Sequence, residues 1–306
     1  MQIPQFRYHR PKSLSEAVAL SRDLGAGTLY LAGGTEVLPE LKRGRDRAEH
    51  LVSLRDVAEL AGIEERDGTL VIGAMTPHQD VAESPLVARA LPVLAEAAAS
   101  VGSVQVRRQG TIGGNFCGAV PCADTPPACI VGEATLLVTG VDGERSFPAE
   151  EFFLGPRQHA LELDELLVAV EIPPQPAGSG SAYARFGLRA GMSVAVAAVA
   201  ARVVLSDGAI ADARLALGAV APVPLPAPRA AESLRGRPPG PEAFAEAARL
   251  AAEEARPITD VRGSAEYRRK VVAVLTARAL AAARNIDSLT RRAFTASTPR
   301  PMAGTM

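Results

Sequence analysis

The residues best equipped for chemistry form one stretch, Gly110-Thr111-Ile112-Gly113-Gly114-Asn115-Phe116-Cys117, with Pro121 to Pro127 behind it. Glycine lets the backbone approach a ligand closely and adopt positive φ. Successive N–H groups in such a turn can point into one concavity, which suits an anion. Asp124 and Thr125 then precede Pro126-Pro127, a pair able to open a new helix or turn. A lone Gly-Gly pair marks an ordinary tight turn. Here a second one stands earlier, in Leu31-Ala32-Gly33-Gly34-Thr35-Glu36. It follows the β-rich run Thr28 to Leu31 and precedes the apolar set Val37, Leu38 and Leu41. Strand, glycine turn and short helix together present backbone donors and a helix N-terminus to a phosphate.

Neither turn is one of the common nucleotide motifs. No Lys-Ser or Lys-Thr follows the glycines, which excludes an ATPase-type P-loop. Gly25-Ala26-Gly27 begins like a dinucleotide fingerprint, but Tyr30 stands where its last glycine belongs, and the run precedes the strand instead of following it. Two lysine-free glycine turns point to a pyrophosphate held mostly by backbone amides, as in a dinucleotide such as FAD.

Ala32-Gly33-Gly34-Thr35, Thr111-Ile112-Gly113-Gly114-Asn115 and Asp124-Thr125-Pro126-Pro127 closely resemble the FAD-binding (medium) subunit of the xanthine dehydrogenase and carbon monoxide dehydrogenase family of molybdenum hydroxylases. The resemblance covers about residues 1–286. It implies FAD on this chain, with molybdopterin and two 2Fe-2S clusters on partner chains, a large molybdopterin subunit and a small iron–sulfur subunit. A typical relative is a dimer of heterotrimers that passes electrons from those clusters through FAD to NAD, a quinone or another acceptor. The residues implied to hold FAD are Ala32, Gly33, Gly34, Thr35, Glu36, Thr111, Ile112, Gly113, Gly114, Asn115, Asp124, Leu167 and Arg185, with no catalytic or metal-ligating residue of the chain's own. By physics alone Asp124 is equally an N-cap before Thr125-Pro126, and Leu167 a strand core residue. Arg185, in Tyr183-Ala184-Arg185-Phe186, stands where relatives often carry lysine; it keeps the charge with a different geometry. The alternative is a self-sufficient FAD oxidoreductase with its own substrate pocket, and a non-enzymatic nucleotide-binding scaffold stands behind it.

Bulk properties agree with an oxidoreductase subunit. Hydrophobic content of 47% and charged content of 22% describe an ordinary globular protein. A net charge of −1, 4% aromatics and no Trp argue against nucleic acid as partner. The polar, basic start lacks a signal-peptide core, and no apolar run of roughly 18 residues occurs, so the expected location is the cytoplasm, with no membrane span. Cys117, Cys122 and Cys129 are spaced unlike a zinc or iron–sulfur site and read as structural thiols. His9, His50, His78 and His159 are scattered, with no ligand pairing expected.

The elements that must position these residues divide the chain. Residues 1–55 read as a small α/β unit, with Ser13 and Glu16 capping a helix that Gly25 ends. Lys42, Arg43, Arg45 and Arg47 read as a solvated helix end. In 56–176, Asp67-Gly68 predicts a hairpin, Thr76 and Gln79 a short capped helix, Ser84-Pro85 a second, and Pro92 a fresh start. Strands are expected at 134–138 and 166–172, separated by an Asp142-Gly143 turn. Pro173 to Gly180 predicts a domain junction, so 1–176 is taken as the FAD-binding domain and 177–286 as a C-terminal domain. There, strands at 181–189, 194–205 and 210–220 lead through a proline-rich connection to helices at 241–254 and 264–284. Residues 287–306 predict a disordered tail. The fold class is α+β; the resemblance implies a two-part FAD-binding domain of the vanillyl-alcohol-oxidase (PCMH) type, then a smaller three-stranded antiparallel sheet with helices.

Overall fold

The computed structural model describes residues 4–284, so the expected tail at 287–306 lies outside the described residues. The chain is built on three main sheets that differ in pairing. The first unit runs β1 (Arg7–His9), α1 (Leu14–Leu24), β2 (Thr28–Leu31), α2 (Val37–Arg43) and β3 (His50–Ser53). Its strands pair in parallel in the order β1-β3-β2, and parallel neighbours need crossovers, which α1 and α2 supply. Ser13 Oγ accepts from Glu16 N at 3.2 Å, and Gly25 at φ 70° closes α1. The Glu16 carboxylate accepts from Lys12 N at 2.7 Å, one residue ahead of the expected capping-box geometry. Consecutive residues of β3 face opposite sides: Val52 packs with Ala17 and Val18, Leu51 with Leu41. The β1–β3 register also brings His9 Nε2 to 3.0 Å from His50 Nδ1, a pairing that their separation in sequence concealed.

The second unit opens with the predicted hairpin of β4 (Ile63–Arg66) and β5 (Thr69–Gly73), turned by Asp67 and Gly68 at positive φ. Six short helices follow: α3 (His78–Glu83), α4 (Pro85–Ala90), α5 (Pro92–Ser100), α6 (Val104–Arg107), α7 (Ile112–Cys117) and α8 (Thr125–Val131). Pro85, Pro92 and Pro126 each stand in the first turn of a helix, as anticipated. Thr76 does not cap α3. Its buried hydroxyl instead accepts from Gly62 N and donates to Gly62 O, and Pro77 precedes the helix without a side-chain bond. Then come β6 (Thr135–Gly140), β7 (Gly143–Pro148), β8 (Phe153–Gly155), β9 (Gln158–His159) and β10 (Leu166–Ile172). The antiparallel sheet has the order β4-β5-β10-β6-β7, with β8 and β9 paired apart. Asp142-Gly143 thus closes a β6–β7 hairpin that the sequence reading missed, because β7 is exposed and carries no apolar alternation. The core beneath the helices includes Ile72, Val81, Leu94, Phe116, Leu136 and Val170.

The third unit is a sheet of β11 (Ser179–Gly187), β12 (Ala195–Ser206), β13 (Ala209–Gly218) and β14 (Leu225–Pro226), followed by α9 (Pro228–Glu232), α10 (Pro241–Glu254) and α11 (Ala265–Ala283). It has a fourth, two-residue strand where three strands were expected, and α9 interrupts the proline-rich connection. As predicted, Leu275 and Ala279 of α11 cover the sheet, packing with Val199, Ala201 and Leu217. Strand β11 is bolted to α5 of the second unit: Val93 N donates to Ser181 Oγ and Tyr183 N to the Glu96 carboxylate, at 3.2 and 2.7 Å. No described helix is long and apolar enough to cross a membrane.

Candidate functional site

The two glycine segments, about eighty positions apart, meet backbone to backbone. A Cβ built on Gly33 would fall 1.8 Å from the Gln109 carbonyl oxygen. One on Gly110 would meet Thr35 Oγ1 at 3.2 Å, and one on Gly114 would point at Ala32 Cβ, 3.8 Å away. Ala32 to Thr35 and Gly110 to Gly114 therefore form the two walls of one cleft.

The walls differ in what they offer. In the first, the N–H groups of Gly33, Gly34 and Thr35 donate to no acceptor among the described residues, and Gly34 holds φ 71°. In the second, the amides of Gly110 and of residues 112–115 are already used. His78 N donates to Gly110 O, Ile112 N to Thr76 O and Gly113 N to Ala74 O, at 2.9, 3.0 and 2.8 Å. Gly114 N and Asn115 N donate to the side chain and backbone of Thr111, which caps α7. The two segments therefore differ in the backbone donors they present. Residues 112–117 are helical and zipped along 74–78, so Gly113 serves close packing: a Cβ there would lie 2.6 Å from Ala74 Cβ. Asn115 points its Oδ1 at Thr125, accepting from N and Oγ1, and so ties α7 to α8.

Asp124 does not cap α8 with its side chain. Its Oδ1 accepts from Tyr183 Oη at 2.8 Å and Arg185 Nε at 3.0 Å, so the carboxylate reaches across to β11. Burial pushes its pKa up, against the lowering effect of Arg185 and Tyr183. Among the described residues no hydrogen bond reaches Oδ2. Tyr183 was missed as a site residue, although it lies two positions from Arg185 on the same strand face, which strand alternation alone would have flagged.

The first and second units together match the family model for the FAD binding domain in molybdopterin dehydrogenase over residues 4–175, and 181–283 match that for the CO dehydrogenase flavoprotein C-terminal domain. The chain belongs to this family of FAD-binding subunits. It is 39% identical over 280 residues to the carbon monoxide dehydrogenase medium chain of Hydrogenophaga pseudoflava, covering 92% of this chain and 97% of that one. Against the xanthine dehydrogenase FAD-binding subunit of Escherichia coli O157:H7 it is 33% identical over 278 residues, covering 90% and 95%. Among solved structures, carbon monoxide dehydrogenase from Hydrogenophaga pseudoflava superposes with a TM-score of 0.89 at 40% identity, covering 92% of this chain and 98% of that one. Quinoline 2-oxidoreductase from Pseudomonas putida 86 gives a TM-score of 0.89 at 33% identity, covering 95% and 100%.

The cleft of this FAD-binding subunit fits a flavin dinucleotide. Its glycines let the two segments pack backbone to backbone, one wall carries amides with no acceptor among the described residues, and the Asp124 carboxylate is buried. Arg185 is spent on Asp124 and on the Ser193 carbonyl, and it also lines a cavity of about 700 Å³ with Gly102, Arg107, Phe186 and Met192. That is the size range of small-molecule sites. Leu167 is 3% exposed in the core of the second sheet, next to Val168, whose carbonyl accepts from Ala74 N. The structure thus gives Leu167 a packing role behind the Ala74–Gly113 contact.

Burial works against thiolate formation: it pushes Cys117 up to about 12 and raises Cys122 and Cys129 as well. Among the described residues no group of His, Cys, Asp and Glu is arranged to hold a metal.

His78, which the sequence reading left among scattered histidines, stands behind Gly110 and is 2% exposed. Burial, reinforced by the Arg107 charge, pushes its pKa down to about 4. An unfolded imidazole titrates near 6.5. Between about 6.5 and 4 the unfolded chain therefore binds the extra proton, and stability falls as pH falls through that window. The difference is worth about 3 kcal/mol. His78→Gln is expected to flatten the urea-midpoint curve over this range, whereas an unchanged slope would show that His78 titrates normally.

Proposed function

We propose that this chain is the electron-transfer FAD subunit of a molybdenum-containing dehydrogenase, working with a large molybdopterin subunit and a small iron–sulfur subunit in a dimer of heterotrimers in the cytoplasm. The observation that carries the reading is the pairing of Gly33 to Thr35, with free amides, against the prearranged Gly110 to Gly114 wall. Gly33, Gly34, Thr35 and the start of α2 would bind the diphosphate through backbone N–H groups and the helix N-terminus. Gly113 packs α7 against Ala74, Gly114 faces Ala32 with no side chain between them, and Thr111 and Asn115 fix the wall. Asp124 would accept from ribityl or ribose hydroxyls, held in place by Tyr183 and Arg185.

Bound there, FAD would supply the redox chemistry that passes electrons from partner-chain 2Fe-2S clusters to an external acceptor; the chain's own part is to bind, orient and tune it. The names of relatives support the partner assignment: the chain aligns along nearly the whole length of proteins called medium chains of carbon monoxide dehydrogenase.

An affinity pull-down from native extract, with a flavin spectrum and metal analysis on the same sample, tests the reading. Co-purifying large and small chains with molybdenum, iron and about one FAD per chain is the expected result. A lone yellow protein, reducible by its own substrate and free of iron, would overturn it in favour of the self-sufficient flavoenzyme.

A further inference from the structure

The loop between β8 and β9 carries a cation toward the first unit. Arg157 sits at φ 60°, and its N donates to Ala119 O at 2.8 Å, so its backbone is fixed just beyond the second glycine wall. Its guanidinium faces carboxylates of the other unit: Glu36 at 3.5 Å, Glu40 at 3.6 Å and Asp46 at 3.4 Å. Glu36 ends the first glycine turn. Its carboxylate lies 2.6 Å from where a Cβ on Gly118 would be, so it is wedged against the exit of the second wall. Glu40 is buried, with Oε2 lacking any hydrogen-bond partner.

We propose that Arg157 is a positioning residue for the flavin cleft: it clamps the first glycine turn onto the second across the unit boundary and offsets the negative charge of Glu36 beside the diphosphate path. This rests on the FAD reading above. The charges around Glu36 support it. Arg157 is the cation acting on Glu36, with Glu40, Asp46 and the Cys122 thiol as the other titratable neighbours; Arg43 and Arg45 face Glu40 from the end of α2. Burial already raises the Glu36 pKa, and Arg157 opposes that rise. Without Arg157 an anionic Glu36 would face both its acidic neighbours and the incoming diphosphate, while a protonated Glu36 would not. Loss of the clamp should therefore be felt most at high pH and relieved as pH falls through the raised pKa.

The test is the FAD dissociation constant of the purified complex, read by flavin fluorescence from pH 5 to 8. Arg157→Ala is expected to weaken FAD about tenfold at pH 8, equivalent to about 1.4 kcal/mol, and to approach the wild type at the acid end. Arg157→Lys, which keeps the charge, should retain most of the affinity. The double variant Arg157→Ala with Glu36→Gln should recover most of it at pH 8, a rescue that a merely structural role for the arginine would not produce. Wild-type affinity in Arg157→Ala at pH 8, or a double variant as weak as the single one, would overturn the inference. A wild-type complex without flavin would sink the FAD reading itself, and the two failures are thereby told apart.

Discussion

Gly33→Ala is expected to strip the chain of flavin. The added methyl would lie 1.8 Å from the Gln109 carbonyl oxygen, and that neighbour is backbone, not the flexible end of a side chain. Overpacking a rigid contact costs about 1–3 kcal/mol. Here the only relief is to move one wall off the other, which also redirects the free amides of Gly34 and Thr35. FAD affinity should fall at least about 100-fold. The matched control is Gly44→Ala, whose Cβ would meet nothing within 4 Å although φ is 69°; it should cost about 1 kcal/mol of stability and leave the flavin in place. Flavin absorbance per chain, with circular dichroism on both variants, separates the outcomes. A fully flavinated Gly33→Ala would show that this contact does not shape the site.

The second large effect is expected at Arg202 of β12. Its guanidinium donates to Glu133 at 2.6 Å, Gln175 at 2.9 Å and Asp212 at 2.9 Å, and the residue is 2% exposed. Glu133 follows α8, and Gln175 lies in the Pro173–Gly178 connection and also donates to Gly132 O. The arginine thus pins the third unit to the second. Each charged hydrogen bond is worth about 1.5–3 kcal/mol. The carboxylates retain Arg214 and Arg235 and are about 40% exposed, so they are not left stranded. Arg202→Met should accordingly cost about 3 kcal/mol, near the low end for breaking a buried pair. Urea unfolding of the full chain measures it. A loss below about 0.5 kcal/mol, the scatter of surface substitutions, would mean that the network is dispensable.

Much of this was legible in the residues. Proline at a first turn, Asp-Gly between strands and Ser13 ahead of Glu16 act within a few positions, so α1, α4, α5 and the β4–β5 hairpin followed from local chemistry. The long apolar run of β12, the Asp207-Gly208 turn into β13 and the helical spacing in α11 were equally plain. What failed depended on distant partners. Residues 112–117 read as a loop because two glycines disfavour helix, yet the amides of Ile112, Gly113 and Gly114 donate to Thr76 O, Ala74 O and Thr111 Oγ1 and hold them helical. Thr76 looked like a cap and was captured instead by Gly62. At the site, the glycines were found by type and spacing, whereas Tyr183, His78 and Arg157 owe their roles to neighbours 59, 32 and 121 residues away at Asp124, Gly110 and Glu36, which no window along the chain contains.

The unequal walls of the cleft carry a consequence for how the flavin arrives. The wall around Gly113 is ordered before any ligand is present, since its amides are held by Ala74 and Thr76. In the turn at Gly33 to Thr35, three consecutive donors still lack an acceptor among the described residues. Amide deuterium uptake should reflect this: slow at Ile112 and Gly113 with or without flavin, and fast at Gly34 and Thr35 until the flavin is added. The entropy lost on loading then falls on one short turn, and the opposite wall works as a template laid down during folding.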